Sequence, residues 1–405
     1  MPTTKARRHH FVPSFALSKF ATPQRRDGVV FQLDTRSGQP KKTSPDEACF
    51  VEELYTQDDE GKADRVLEAF LSIVENYAAQ ALDRLISDPR NLPREDRQSI
   101  AYHLALQYQR TPVALEHSMA SQQAMMLLTM GIQFADAENF KKKHRKIFDD
   151  GASDEEIEAL RQKTLNHLKG GGVTIDDPKL GAFQMMLRTA DAVASAIASL
   201  SWGVVAAKED EFVICDRALA VHDSTPKFPW SGHALLSSPT AETIFPLTPG
   251  VCLALFQRER AVVSYEIGAD EVRELNLRTY GWASQYIYGR TQDVVQRVRK
   301  QAKEKPELVI RPRTSKPVLL EWADPDDPTV GAEHVKKGWP RGVMIPDENG
   351  APRFAAYTLI DPADEASVSA AITAEEMTER VRAAAREKKG LREVRHVDPD
   401  DVEPS

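Results

Sequence analysis

The chain has 405 residues, of which 41% are apolar, and this is enough for two domains or for one large domain with extensions around a packed core. The formal net charge of −8 argues against a protein that coats nucleic acid through bulk charge, although basic runs at Lys5–Arg8 and Lys141–Lys146 allow a local basic groove. No apolar run reaches the roughly 18 residues that a membrane span needs, and no apolar segment of the kind found in secretion signals follows the basic residues 1–8. We therefore expect a cytoplasmic protein without membrane contact.

The first predicted elements are short strands beside a pair of histidines. Residues 28–55 place β-prone runs around a Gly38–Pro40 turn, which predicts a hairpin next to His9 and His10. Residues 64–86 predict an amphipathic helix, because apolar side chains recur every three or four positions at Val66, Phe70, Ile73, Tyr77, Ala81 and Leu85. Glu68 and Glu75 lie two turns apart at the border of this stripe, where we expect both to be exposed.

Predicted helices continue to about residue 200. Residues 94–132 predict two helices joined at a kink, since Pro112 disfavours helical geometry at the residue before it. Residues 153–169 and 178–200 predict two further helices, separated by a flexible break at Gly170–Gly172. The whole stretch is therefore predicted as a helical bundle.

The pattern changes to strands after the bundle. Residues 202–263 contain Val, Ile, Phe and Leu runs punctuated by Pro and Gly, which predicts a strand-rich insert. Residues 270–302 return to a helical pattern and complete a predicted core domain of residues 1–300.

The remaining residues predict a C-terminal extension at 303–390 and an acidic, disordered tail at 391–405. The extension contains predicted strands at Val318–Trp322 and Arg353–Leu359 and a predicted helix at 374–388. The fold class expected from all segments is α+β and predominantly helical, with an N-terminal hairpin, a helical bundle, a strand-rich insert and a C-terminal α/β extension.

The His9-His10 pair is the first candidate for chemistry, because imidazoles bind metals and transfer protons near neutral pH. On an extended segment the two side chains point to opposite faces, so a single site takes only one of them, and His10 is preferred. A capping or packing role is the alternative. A complete HNH nuclease module is disfavoured, since the next asparagine and histidine are as distant as Asn76 and His103.

A polar stripe on the predicted helix that includes Ile100 is the second candidate. His103, Gln107 and Arg110 are four and three residues apart and share one helix face. If this face lines a cleft, the arginine offers a bidentate fork to a carboxylate or a phosphate. The alternative is a solvated helix face on which Arg110 caps the kink.

Asp216 is the third candidate, because it ends the run Phe212–Asp216 and a carboxylate at the end of a buried strand can act as a ligand or a general base. It is equally suited to a turn. The three cysteines (Cys49, Cys215 and Cys252) are far apart in sequence and form no CxxC pair, which predicts neither a disulfide framework nor a cysteine-rich zinc site. GxSxG, HExxH, EF-hand and GxGxxG motifs are absent from the sequence.

Several of these segments together resemble the bacterial domain of unknown function 4238 family, over about residues 8–300. The resemblance is carried by His10–Pro13 with Phe15, Leu17 and Phe20, by Gln107 with Arg110–Pro112, by Phe212–Asp216, by Pro246–Pro249 and by Asn276. After the strand, the family pattern Thr-Ser-Asp-Asn-Pro is replaced by Ile-Cys-Asp-Arg-Ala at Ile214–Ala218, so the aspartate is kept and the turn chemistry differs. The family has no established activity, and the resemblance implies a shared polar site without naming a reaction.

Convergence of His10, Gln107, Arg110 and Asp216 would combine a proton-transfer group, an amide, an anion clamp and a carboxylate. This set predicts a cytosolic hydrolase, nuclease-like, that acts on a phosphodiester or another phosphorylated substrate. His10 and Asp216 would activate water or hold a divalent metal, and Arg110 would stabilise the phosphate charge. Nucleic acid is then the candidate partner.

Two alternatives lead away from catalysis. In the first, the same polar groups bridge helices or hold a small anionic ligand in a non-enzymatic binding or regulatory protein. In the second, the chain is a subunit that contacts a protein partner or a second copy of itself through the extension from about residue 303.

Overall fold

The computed structural model describes residues 8–59, 62–64, 66–135, 140–142, 153–169, 178–223, 240–257, 262–309, 321–323, 341–346 and 352–358. The protein is α+β, as predicted. It divides into two compact units, one formed by residues 1–115 and 183–312 and the other by residues 116–182 and 313–405.

The first unit begins with short strands that surround the histidine pair. Their bounds are β1 (Arg8–His10), α1 (Ser14–Ser18), β2 (Val30–Asp34), β3 (Pro40–Thr43), β4 (Phe50–Glu52), β5 (Gln57–Asp59) and β6 (Lys62–Asp64). A hairpin forms around the predicted turn, because β2 and β3 pair antiparallel, but the run at 48–51 that was predicted as its second strand lies outside it. The strand at Phe50–Glu52 pairs instead with β1, which places His10 opposite Phe50.

Helices α2 (Val66–Ser87), α3 (Arg94–Gln109) and α4 (Pro112–Ala135) follow, and the predicted break before Pro112 is confirmed. Thr111 forms the start of α4, because its Oγ1 accepts a hydrogen bond from the Ala114 N–H at 3.3 Å. Proline has no N–H to donate and disfavours helical geometry at the residue before it, and the Thr111 side chain caps the next helix. The helical hydrogen bonds of α3 therefore end at residues 110–111.

The predicted apolar stripe of α2 is partly wrong. Val66, Ile73 and Tyr77 are 71%, 57% and 66% exposed. The buried face of α2 consists of Leu67, Leu71, Ala78, Ala81, Leu82 and Leu85. Two overlapping sets of apolar residues in this segment have helical spacing. The set that contains more alanines packs against α3, because small side chains allow the two helices to approach closely.

The predicted helices at 153–169 and 178–200 are confirmed as α5 (Asp154–Lys169) and α6 (Pro178–Ser199). The predicted strand-rich segment is also confirmed. Its strands are β7 (Ser201–Ala207), β8 (Ile214–Cys215), β9 (Ala220–Asp223), β10 (Ala241–Thr248), β11 (Val251–Phe256) and β12 (Val262–Ile267). Five of them form a sheet of order β12-β7-β11-β10-β9, antiparallel except for the β12–β7 pair.

The prediction of one helix over 270–302 is wrong. The segment contains α7 (Ala269–Trp282), β13 (Tyr286–Gly289) and α8 (Gln292–Glu304). β13 lies inside a four-stranded sheet of order β3-β2-β13-β8. The Tyr-Ile-Tyr run favours a strand, and Gly289 is required because a Cβ there would lie 2.9 Å from Val295 Cγ1.

The main core of the first unit lies between the helices and the five-stranded sheet. It includes Leu17 and Phe20 from the N-terminal segment, Leu104 from α3, and Trp202 and Phe245 from the sheet. The Trp202 indole N–H donates to the Ile197 carbonyl at 3.0 Å, so this large side chain is buried without leaving its polar atom unpaired.

In the second unit, β14 (Glu321–Ala323), β15 (Arg341–Pro346) and β16 (Pro352–Thr358) form a sheet, parallel between β14 and β15 and antiparallel between β15 and β16. The strand predicted at 353–359 is thereby confirmed, and the one predicted at 318–322 overlaps β14. The predicted helix at 374–388, the predicted tail at 391–405 and most of both basic runs lie outside the described residues. Among the described helices, none combines the length and the apolar character that crossing a membrane requires.

Candidate functional site

Gln107 and Arg110 meet at the C-terminal end of α3, where their side chains are 0% and 1% exposed. The Gln107 Nε2 donates to the Phe11 carbonyl at 2.8 Å, and its Oε1 accepts from Arg110 Nε at 2.9 Å. The amide therefore connects the His-Phe segment to the guanidinium. The alternative of a solvated helix face is wrong for this stripe.

Arg110 also forms a largely buried ion pair with α2. Its Nη1 donates to Glu75 Oε1 at 2.7 Å, and the Glu75 side chain is 22% exposed. The Nη2 atom of Arg110 is buried and has no hydrogen-bond partner among the described residues. One donor of a fully buried cation is thus left without an acceptor, which is costly in a folded protein and calls for a functional or structural reason.

Glu68 lies two helical turns before Glu75, on the same face of α2. Its carboxyl group is half-buried and has no hydrogen-bond or ion-pair partner in the part of the chain that the structure describes. Burial raises the pKa of Glu68 to about 7, the charge of Glu75 acts in the same direction, and Arg110 opposes both. We refer to Glu68, Glu75, Gln107 and Arg110 as the Arg110 cluster.

The two glutamates are the site residues that sequence reasoning missed. The sequence-based expectation that both are exposed is wrong, because each is half-buried. Their seven-residue separation was a usable signal, since it aligns two carboxylates on one helix face. The sequence alone does not show which face of α2 meets the end of α3, so the two carboxylates could not be matched with Arg110.

The two histidines differ, as expected for neighbours on an extended segment. His9 is 1% exposed, its Nδ1 accepts the Tyr55 N–H at 2.9 Å, and its ring stacks on that of Tyr55 with centroids 5.6 Å apart. The Tyr55 hydroxyl in turn donates to the Arg110 carbonyl at 3.3 Å. His9 and Tyr55 therefore connect β1 to the Arg110 cluster as packing residues.

His10 is half-buried beside Phe50, with its Nε2 3.3 Å from the Asp46 carbonyl oxygen. Burial lowers the pKa of His10, whereas the Asp46 carbonyl and the charges of Asp46 and Glu75 act in the opposite direction. The imidazole is consequently neutral at pH 7 and able to accept a proton.

The third member of the predicted stripe, His103, faces the apolar core. It is 1% exposed and lies between the rings of Phe15 and Phe245, with centroid distances of 5.7 and 6.4 Å. Burial and the charge of Arg110 lower the pKa of His103 to about 3. This histidine is neutral throughout the physiological range and acts as a packing residue.

Asp216 is not hydrogen-bonded to His10, Gln107 or Arg110. Its carboxylate, 5% exposed, accepts backbone N–H groups of Ser284, Gln285 and Tyr286 at 2.7, 2.8 and 3.0 Å. Burial raises the pKa of Asp216, while these three donors act in the opposite direction. Three of the roughly four acceptor positions of the carboxylate are thus in use, and they hold the turn between α7 and β13.

Asp216→Asn is therefore expected to lower the free energy of unfolding by about 1.5 kcal/mol, because one accepting oxygen is replaced by an amide that cannot accept from the turn. Urea unfolding measures this, and Asp27→Asn, which alters a 70% exposed carboxylate, should leave stability unchanged. Unchanged stability together with lost activity would instead place Asp216 in the chemistry.

Other predicted chemistry at this strand is not favoured by the local environment. Cys215 is fully buried, and burial raises the pKa of its thiol to about 12, so little of the reactive thiolate exists at pH 7. Across the described ranges, no group of three or more His, Cys, Asp and Glu side chains is arranged to hold a metal ion.

Comparison with known proteins gives a family and no characterised relative. Neither the curated proteins nor the solved structures yielded a match. The family model for a protein of unknown function, DUF4238, matches residues 8–293, which include His10, Gln107, Arg110 and Asp216. The resemblance inferred from the sequence is confirmed. Because the match extends over more than half of the chain, the protein belongs to the DUF4238 family.

Proposed function

We propose that the protein is a cytosolic hydrolase, nuclease-like, that acts on a phosphodiester or another phosphorylated substrate at the Arg110 cluster and His10. The observation that carries this proposal is the half-buried Glu68 carboxyl, which has no hydrogen-bond partner among the described residues and a pKa of about 7 beside a buried arginine. A carboxyl group with such a pKa both donates and accepts protons at neutral pH, which is what general acid–base catalysis requires.

Each residue of the site has a role that follows from its environment. Glu68 transfers the proton, and the negative charge of Glu75 helps to keep it protonated near pH 7. Gln107 and Glu75 fix the guanidinium of Arg110, whose positive charge stabilises the phosphoryl group. His10, neutral at pH 7, is the second proton-transfer group.

A divalent metal is not assigned a step in this mechanism. The prediction that His10 and Asp216 share a metal is not supported by their surroundings, because backbone N–H groups occupy most acceptor positions of Asp216. A metal requirement stays a prediction, and the assay below includes it as a variable.

A second candidate function is a non-enzymatic binding or regulatory protein. It is favoured by the near-complete burial of Gln107 and Arg110, whose polar groups bond mainly to each other, to Phe11 and to Glu75. In this case the cluster bridges α2, α3 and the N-terminal segment. A protein partner or a second copy at the C-terminal extension belongs to this candidate.

The test is a cleavage assay of RNA and DNA, with and without divalent metal, on wild type and His10→Ala, with thermal melts of both. We expect a rate about 100-fold lower in the variant, the lower end of what general acid–base catalysis contributes, and an unchanged melt. His167→Ala, which alters an exposed histidine on α5, is the matched control and should behave as wild type. Absence of any wild-type cleavage, together with a destabilised His10→Ala, would support the non-enzymatic candidate.

A further inference from the structure

A second polar site lies between the β2–β3 turn and the C-terminal half of α8, and it shares no residue with the Arg110 cluster. It is a cavity of about 320 Å³, at the lower end of the range for small-molecule sites. Three cationic side chains line it, those of Arg36, Arg299 and Lys303. No acidic residue is part of this lining among the residues that the structure describes.

Within the part of the chain that the structure describes, no carboxylate forms an ion pair with the three cations of this cavity. Arg299 donates from Nη2 to the neutral Ser37 carbonyl at 3.1 Å, and its buried Nε has no hydrogen-bond partner in the described part of the chain. The side chains of Arg36 and Lys303 are exposed and have no ion-pair partner within the same ranges. The carboxylate of Asp34, at the end of β2, accepts the N–H groups of Arg36 and Ser37 on Oδ1 and the side-chain amide of Gln285 on Oδ2.

The turn is shaped so that Arg299 can reach it. Gly38 has a φ of +73°, and a Cβ at this position would lie 1.6 Å from Arg299 Cζ. Only glycine allows both the left-handed conformation and the close approach of the guanidinium. The placement of Arg299 in the cavity wall therefore depends on a specific residue of the hairpin.

Apart from Thr35, the rest of the lining is apolar or aromatic and consists of Tyr280, Ala302, Pro306 and Val309. Tyr280 is 6% exposed, and its hydroxyl donates to the Thr35 carbonyl at 3.0 Å, which fixes the ring against the turn. An aromatic and aliphatic wall next to three cations suits a ligand that has both an uncharged organic part and an anionic group.

We propose that this cavity binds a small organic phosphate of mononucleotide size, with the phosphate at Arg36, Arg299 and Lys303 and the organic part at the apolar wall. Three cations around one small volume match the charge of a phosphate dianion better than that of a single carboxylate. The site stands independently of the proposed hydrolase activity.

The test uses isothermal titration calorimetry of the full chain with AMP, adenosine and inorganic phosphate at about 50 mM salt, where screening is moderate. Wild type should bind AMP at least 10-fold more tightly than adenosine, and also more tightly than phosphate alone. The double variant Arg36→Gln with Lys303→Gln should lose at least 10-fold in AMP affinity, and its melt should match wild type because both side chains are exposed.

The matched control is Lys41→Gln with Lys300→Gln, which removes two charges from β3 and α8 at exposed positions outside the cavity. AMP affinity within twofold of wild type in this control supports the site. Equal losses in both double variants would show attraction by bulk charge and overturn the proposal, as would equal binding of adenosine and AMP. The two sites share no residue, so the comparison of the two double variants gives its result whether or not the cleavage assay supports the proposed active site.

Discussion

Arg110→Met is expected to lower the free energy of unfolding by about 3 kcal/mol, the lower end of what removal of one partner from a buried ion pair costs. Methionine retains the apolar stem but leaves Glu75, 22% exposed, without its cation and Gln107 Oε1 without its donor. Urea unfolding of wild type and variant measures the difference.

A control variant and a double variant show whether the ion pair is the cause. Arg25→Met removes the cation of a pair with Asp27 whose side chains are 66% and 70% exposed, and it should change the free energy of unfolding little. Glu75→Gln combined with Arg110→Met should be less destabilised than the sum of the two single variants, since neither charge is then left alone. Additive losses would mean that Arg110 contributes through packing and not through Glu75.

Part of this cluster could be predicted from the sequence. Gln107 and Arg110 are three residues apart, so their shared helix face follows from helix geometry alone. Their burial does not follow, because it depends on α2 and on the Phe11 carbonyl, which are distant in the chain. Asp216 shows the same limit, since only the fold brings the N–H groups at 284–286 to its carboxylate.

The fold was predictable where one pattern was unambiguous. The break at Pro112 and the helices near 154–169 and 178–199 follow from proline sterics and regular apolar spacing. The single helix predicted over 270–302 is wrong because three residues of high β-propensity, Tyr286–Tyr288, form a strand with Gly289 by pairing with β2 and β8. This strand pairing joins segments that are far apart in the chain. Apolar residues with helical spacing lie on both sides of 286–289, so the sequence pattern does not reveal the strand between the two helices.

Glu68→Gln is expected to reduce the hydrolytic rate by a factor between about 10² and 10⁴, the usual contribution of a general acid or base. The amide has the shape of the carboxyl group but cannot transfer its proton. Because burial raises the pKa of Glu68 to about 7, the wild-type rate should change with pH around this value, and the residual rate of the variant should lack that change. Initial rates on the preferred nucleic acid between pH 5 and pH 9 give both results.

The same substitution should increase stability, which distinguishes a catalytic carboxyl from a structural one. A carboxyl whose pKa rises from 4.5 to about 7 on folding favours the protonated form in the folded state, so its ionisation opposes folding as pH increases through this range. At about 1.4 kcal/mol per pKa unit, reduced by solvent screening because the group is only half-buried, Glu68→Gln should be more stable than wild type by about 1 to 2 kcal/mol at pH 8 and equal to it at pH 4. Glu95→Gln, at an exposed position on α3, should show no such dependence. If Glu68→Gln keeps full activity and its stability difference from wild type does not depend on pH, Glu68 has neither a raised pKa nor a role in proton transfer. It would then not belong to the active site.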